Sequence, residues 1–276
     1  MKRLPLIIEP VPLDLAWNDP EENLRRMDEA IALRRKGGKA DAEARLFIFP
    51  ELTLTGFVTQ SPRTFSVTPP ASAISRALDL ARRHGTAIAF GFPETNPQNP
   101  GRPFNALLLA RPDGSVAARY RKMHLFTAGR EPESSLYSAG NRGILCEYRG
   151  WLLGLTVCFD LRFPRLYHAY ARAGADLILA PACWVGGPHK SEKFRALAQA
   201  YAVLSQAYVA AVNRSGRDPH FHYDGSAHVF SPDGEPALKD GACALDERAL
   251  EECRKMRVRE ADHESYPVEK LGAASR

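Results

Sequence analysis

The chain has 276 residues, 45% of them hydrophobic and 25% charged, with a formal net charge of +5. That length buries a sizeable core and would allow two domains, but one α/β domain over residues 1–276, with a charged helix and tail from about 246, is the simpler expectation. The basic excess is scattered among acids rather than set in an aromatic-interleaved stripe, which argues against a nucleic-acid partner, and no apolar run is long enough to span a bilayer. Residues 1–8 are too short and too soon acidic for a secretion signal, so a cytoplasmic chain without a membrane partner is expected. Five cysteines, at positions 146, 158, 183, 243 and 253, form an odd set without paired CxxC spacing. Neither a disulfide framework nor a metal site nor a cofactor is expected from them.

A first strand is predicted near Leu4–Glu9, then, after Asn18-Asp-Pro20, an amphipathic helix over Glu21–Arg35 that Gly37-Gly38 stops. Arg34–Ala44 reads as a polar, basic insertion before a strand at Leu46–Phe49. A helix near Ala71–His84 precedes strand Thr86–Phe92, and the Pro/Asn/Gly loop Pro93–Pro103 leads to strand Asn105–Arg111 with the turn signal Pro112-Asp-Gly114. Alternation over Val116–Lys122 predicts a strand that delivers Lys122 into a loop. Strand Trp151–Val157, helix Arg165–Ala173, strand Leu177–Ala180, helix Ser191–Gln206 and strand Tyr208–Asn213 follow. Ala227–Phe230 and Ala242–Leu245 read as a strand pair about Asp233-Gly234, and Asp246–Arg259 as a charged helix. Apolar strands separated by helices imply sheets covered by helices.

Cys158 ends the apolar run Trp151–Val157 and is followed at once by Phe159-Asp-Leu-Arg-Phe-Pro164. In α/β proteins ligands bind outside the carboxyl ends of strands, so a nucleophile is well placed there; alone, such a cysteine reads as a buried apolar residue. Glu51 presents a carboxylate after the strand and proline of Phe47-Ile-Phe-Pro50, where the plain reading is a helix cap or solvated charge. Lys122, among arginines, reads by itself as a surface charge. Together the three residue types are those that cleavage of an amide would require: a nucleophile, a proton shuttle and a positive charge where oxygen becomes negative. In that chemistry Cys158 as thiolate would attack the carbonyl carbon, and neighbours would have to favour that thiolate. Lys122, with the main-chain N–H of Phe159, would stabilise the oxyanion. Glu51 would be the general base that moves the proton from thiol to leaving ammonia and later activates water.

The segments that carry them are Phe49-Pro-Glu51 with Gly56-Phe57, then Tyr120-Arg-Lys122-Met-His-Leu-Phe126, then Cys158-Phe-Asp-Leu-Arg-Phe-Pro164. Ala175–Trp184, Ala207–Arg214 and Asp224–Glu235 add to them. In this order they resemble the nitrilase superfamily of carbon-nitrogen hydrolases over nearly the whole chain. The resemblance implies a four-layer α-β-β-α sandwich and a homodimer, neither of which the pattern alone provides. It also implies a second glutamate between Lys122 and Cys158 that positions the lysine or the substrate. Glu133 keeps the better spacing to Tyr137-Ser-Ala-Gly-Asn141 and is favoured over Glu131.

His124 is expected to form structural hydrogen bonds, and Asp160 and Arg162 an ion pair beneath the nucleophile turn. Phe57, Phe126, Phe159, Cys183 and Trp184 are candidate substrate-binding residues. Basic residues at the start of the helix over Ser191–Gln206 sit against the helix dipole, which makes Lys190, Lys193 or Arg195 a candidate partner for a substrate carboxylate. Within the superfamily the turn at Cys158 and Gln206-Ala-Tyr-Val209 are most like the ω-amidase branch, which hydrolyses the terminal amide of small dicarboxylic monoamides; the loop after Phe126 and Trp184-Val-Gly-Gly-Pro-His189 depart from a well-defined branch. Deaminated-glutathione and N-carbamoyl-amine hydrolysis are alternatives, as is a catalytically silent scaffold dimer. The expected partners are a small-molecule amide and water.

Overall fold

A computed structural model describes residues 2–34, 38–58, 62–68, 70–127 and 132–256. Its frame is a pair of mixed sheets. In the first, β1 (Ile7–Pro10), β2 (Arg45–Ile48) and β3 (Ala87–Glu94) run parallel, and β4 (Phe104–Ala110) and β5 (Val116–Arg121) extend it antiparallel. In the second, β7 (Trp151–Leu155), β8 (Leu177–Ala182) and β9 (Tyr208–Asn213) run parallel, beside an antiparallel flank, β6 (Ile144–Tyr148). β10 (Ser215–Arg217) and β11 (His222–Asp224) form a small hairpin. β12 (Ala227–Phe230) closes the far flank of the second sheet against β9, whereas β13 (Cys243–Ala244) pairs with β1 in the first.

The expected pairing of Ala227–Phe230 with Ala242–Leu245 is therefore corrected: the two strands belong to different sheets. The Asp233-Gly234 turn instead folds Phe230 onto Pro236 and Ser231 onto Glu235, and the chain then crosses to the other layer. The first strand is also shifted from the sequence reading, because Leu4 is tied to the β6–β7 turn through the Arg149 carbonyl (2.9 Å) and the Trp151 indole (2.8 Å).

Side-chain alternation decides how the layers stack. Leu46 and Ile48 of β2, Leu107 and Leu109 of β4, and Leu153 and Leu155 of β7 share one core between the sheets with Leu177 and Leu179 of β8. The alternate residues Phe47, Ile88, Phe90 and Leu108 face outward onto α1 (Pro20–Arg34) and, beyond α2 (Lys39–Ala44), α3 (Ser72–His84). Beyond α4 (Glu133–Leu136), the outward residues Ile178, Ala180 and Val209 of the second sheet pack on α5 (Pro164–Arg172) and α6 (Lys190–Ser205). This is the four-layer α-β-β-α sandwich, with both sheets buried on both faces. A one-residue slip in any central strand would exchange the two cores, which pins the register.

The segment Arg34–Ala44 holds the short helix α2, and residues 35–37 lie outside the described residues. The charged segment after Leu245 forms α7 (Glu247–Arg254), started by the Asp246 side chain accepting from the Arg248 N–H at 2.9 Å; 257–276 lie outside the described residues. Among the described residues no helix is long and apolar enough to cross a membrane. Because β1–β3 and β7–β9 are parallel within their sheets, strand ends carrying Pro50, Lys122, Cys158 and Cys183 open on one edge of the sandwich, where β4 also begins.

Candidate active site

Glu51 follows β2 at a turn in which Leu52 takes a left-handed conformation (φ 48°). The turn lies directly on β3: a Cβ at Gly91 would fall 2.3 Å from the Leu52 nitrogen, so only glycine permits this approach. The Gly91 N–H donates to the Thr53 hydroxyl (3.1 Å) and the Leu54 N–H to the Gly91 carbonyl (3.1 Å), which fasten the turn. Lys122 is held just past β5 by its N–H on the Asn105 carbonyl (2.8 Å) and its carbonyl on the Gly140 N–H (2.8 Å). Glu133 opens α4, whose short helical turn folds it back toward the end of β5.

These three charges meet in the interior. The Lys122 ammonium donates to Glu51 Oε1 and to Glu133 Oε2, both at 2.7 Å, and all three side chains are at most 1% exposed. Asn105 Nδ2 donates to the same Glu51 Oε1 (2.7 Å) and to Glu133 Oε1 (2.8 Å). Main-chain donors add to both carboxylates: the Cys183 N–H donates to the remaining Glu51 Oε2 (2.7 Å), and the Phe126 N–H to Glu133 Oε2 (2.9 Å), which also accepts from Lys122. Burial works against the ammonium, but the Glu133 and Glu51 carboxylates outweigh it and hold Lys122 well above the ordinary lysine value. Burial holds Glu133 above the usual carboxylate range although Lys122 pulls it down.

Cys158 begins a 3-10 turn (Cys158–Arg162) directly after β7, with a left-handed backbone (φ 48°) that is costly for a residue with a Cβ. Asp160 holds the turn. Its carboxylate accepts from the Val157 N–H (2.9 Å) and the Tyr120 hydroxyl (2.7 Å) through Oδ2, and Oδ1 takes the His124 N–H (3.1 Å) and Nδ1 (2.8 Å). The Cys158 turn is thus bolted to β5 and to the segment carrying Lys122. Cys158 itself is only partly buried. Burial and then the Glu51 charge push its thiol well above the ordinary value, against the pull of Lys122, so the resting group is a protonated thiol.

Of the residues expected from sequence, Glu51, Lys122, Glu133 and Cys158 come together; Glu131 lies outside the described residues. His124 has the structural bond expected of it, and its ring stacks on Phe163 at 3.7 Å. Cys183 backs Glu51, its Sγ donating to the Glu51 carbonyl at 3.1 Å, and Phe57 packs beside it. Phe126 and Phe159 meet edge-to-face at 5.2 Å, with Phe126 40% exposed at the opening. Trp184 packs near Cys158 and donates its indole N–H to the Lys190 carbonyl (3.0 Å).

One expectation is corrected. Asp160 does not pair with Arg162: its oxygens are occupied by the bonds above, while the Arg162 guanidinium lies 5.1 Å over the Trp184 ring, exposed and without an ion-pair partner among the described residues. Arg195, named from the sequence as one candidate for a substrate carboxylate, lies apart from the buried charges. Its guanidinium sits 5.7 Å from the Phe230 ring, and Phe230 pairs with Val209, four residues down β9 from the Asn213 end that faces the site, roughly 13 Å at strand rise. Asn105, Tyr120 and Asp160 make the bonds that hold the cluster. For Asn105 the available signal was its place in the inward series Asn105, Leu107, Leu109, where a polar side chain has no apolar partner.

The model of the carbon-nitrogen hydrolase family matches residues 9–246. The chain belongs to the carbon-nitrogen hydrolase family. As a member of it, the chain is similar to an ω-amidase of Escherichia coli K12, 32% identical over 225 residues, 80% of this chain and 79% of that protein. It is also similar to a deaminated glutathione amidase of Escherichia coli O157:H7, 40% identical over 121 residues, 44% of this chain and 46% of that one. Among solved structures, an amidase from Nesterenkonia sp. AN1 superposes with a TM-score of 0.74 at 26% identity, covering 92% of this hydrolase and 95% of that chain. That structure carries the acetamide moiety of fluoroacetamide covalently added at the active site cysteine.

Proposed function

We propose that the chain is an amidase that cleaves the terminal amide of a small monoamide bearing a remote carboxylate, through a thioester on Cys158. The observation that carries this reading is one ammonium buried between two carboxylates beside a partly open thiol on a strained turn. Such a cluster supplies the base, the positive charge and the nucleophile in one place. The covalent adduct on the related amidase's cysteine supports the same chemistry here.

The thiol is protonated at rest, so Glu51 takes its proton as sulfur attacks the carbonyl carbon. The oxyanion forms against Lys122 and the main-chain N–H of Phe159. Collapse breaks the C–N bond, Glu51 returns the proton to the departing nitrogen, and ammonia leaves. Water then attacks the thioester, Glu51 accepts its proton, and the acid departs as sulfur recovers a proton. Glu133 and Glu51 each take one N–H of the Lys122 ammonium, which fixes the direction of its third N–H.

Arg162 is the group we assign to the substrate carboxylate. It is four residues past the nucleophile, exposed, stacked on Trp184 and free of an ion pair among the described residues. A planar guanidinium held by an aromatic face suits bidentate carboxylate binding. Similarity to an ω-amidase over 80% of the chain favours a short dicarboxylic monoamide; similarity to a deaminated glutathione amidase over 44% favours a longer acyl chain. Ammonia release from succinamate, 2-oxoglutaramate, deaminated glutathione, N-carbamoyl amines and simple nitriles, with native protein and Cys158→Ala, tests the reading. Release from an acid amide that vanishes in the variant is expected; release that survives the substitution, or confined to uncharged amides, overturns it.

A further inference from the structure

Asn105 lies at the first register positions of β4, opposite Pro93, in the series of β4 residues that face the inter-sheet core. It is fully buried, and its side chain makes its bonds through nitrogen: Nδ2 donates to Glu51 Oε1 (2.7 Å) and Glu133 Oε1 (2.8 Å). Its Oδ1 is buried with no hydrogen-bond partner among the described residues. Reversing the amide would satisfy neither carboxylate and would set oxygen against oxygen, so the two donations fix its orientation. A buried acceptor left empty is a cost the fold accepts for those donations. The main-chain carbonyl of the same residue accepts the Lys122 N–H at 2.8 Å. One residue therefore touches all three charged members of the cluster.

Lys122 alone cannot neutralise both carboxylates. Around them stand the Lys122 ammonium past β5, the Cys158 thiol past β7, the Cys183 thiol past β8 and the Tyr137 hydroxyl past α4, and of these only Lys122 is positive. The amide of Asn105 is the other side-chain donor shared by both. We propose that Asn105 is a positioning residue that holds the Glu51 and Glu133 carboxylates in one arrangement about the Lys122 ammonium, and so keeps Glu51 placed to accept the Cys158 proton, by sharing its two N–H groups between them. Without those donations Glu51 Oε1 keeps Lys122 as its one side-chain donor among the described residues, and the carboxylate is free to turn from the position that serves the thiol.

The inference rests on the proposed roles of Glu51 and Cys158, and the test separates the two. Alkylation of Cys158 by iodoacetamide, followed by mass spectrometry of the Cys158 peptide, reads the base without any amide substrate; ammonia release reads it during turnover. In Asn105→Ala the alkylation rate and kcat are both expected to fall about tenfold or more, with KM little changed. Leu107→Ala, the next inward residue of the strand, is expected to lower the melting temperature and leave both rates near native. Where Asn105→Ala does not fold, Asn105→Asp keeps the shape and loses the paired donors, and the same fall is expected. A folded variant whose alkylation rate and kcat match the native ones overturns the role of Asn105. Alkylation that slows in the variant while native protein releases ammonia from none of the amides leaves Asn105 in place and overturns the substrate reading instead.

Discussion

The two sheets share a frame of three parallel strands with antiparallel flanks, yet their contributions at the common edge differ. The first sheet ends in Glu51, Asn105 and Lys122, each at most 1% exposed and tied to the others by bonds of 2.7 to 2.8 Å. The second ends in Cys158, Cys183 and Trp184, with Cys158 partly open on a left-handed turn and Arg162 at the surface beyond it. One edge is a closed electrostatic lattice and the other a strained, accessible mouth. Charge that must not reorganise during reaction belongs in the closed edge, and the group that must meet substrate belongs in the open one.

Substitutions on the two edges should therefore fail in different ways. The largest effect on turnover is expected from Cys158→Ala, which should drop ammonia release below about a thousandth of native while the melting temperature stays near native. Lys122→Met should cost both activity and fold: turnover falls about 100- to 1000-fold, and two buried carboxylates lose their counter-charge, a destabilisation of about 3–5 kcal/mol in a denaturant titration. A variant of Lys122 with native stability would break the contrast between the edges.

Asp160→Ala tests the link between them. It strips partners from the Tyr120 hydroxyl, the Val157 N–H and the His124 ring, for a loss of about 3 kcal/mol. Because the turn then relaxes, kcat should fall about tenfold even in protein that remains folded. Arg162→Ala should raise KM for an acid amide about tenfold, with kcat and unfolding midpoint little changed, since an exposed guanidinium contributes to the fold by less than about 1 kcal/mol. An unchanged KM would move the carboxylate contact elsewhere. The smallest signal is spectroscopic. With burial and Glu51 pushing the Cys158 thiol up, the thiolate absorbance difference between native protein and Cys158→Ala should be absent at neutral pH and emerge only above the ordinary thiol range.

The closed edge was harder to read in the sequence than the open one. Cys158, Glu51 and Lys122 follow strongly apolar strands, so their positions at strand ends were legible, and the continuous runs around them foretold sheets buried on both faces. Asn105 begins such a run and reads as a strand boundary; its role comes from facing Glu51 and Glu133, which are 54 and 28 residues away. Asp160 was expected to pair with its near neighbour Arg162. Instead it finds Tyr120 and His124 across the sheets, contacts that no local pattern carries. β6 was missed because Ile144–Tyr148 mixes an exposed glutamate into a short run, and β13 was assigned to its chain neighbour rather than to β1. Long-range pairing is set by which surfaces must be covered, and that information is spread over the whole chain.

The most direct test of thiol-dependent hydrolysis is the mass of the intact native protein, acid-quenched within the first turnovers of an acid amide before the acyl intermediate is hydrolysed. We predict an added mass equal to the acyl group, mapped to the Cys158 peptide and absent from Cys158→Ala treated in the same way. Turnover by native protein with no acyl mass on Cys158, or an adduct that persists after that residue is replaced, would contradict it.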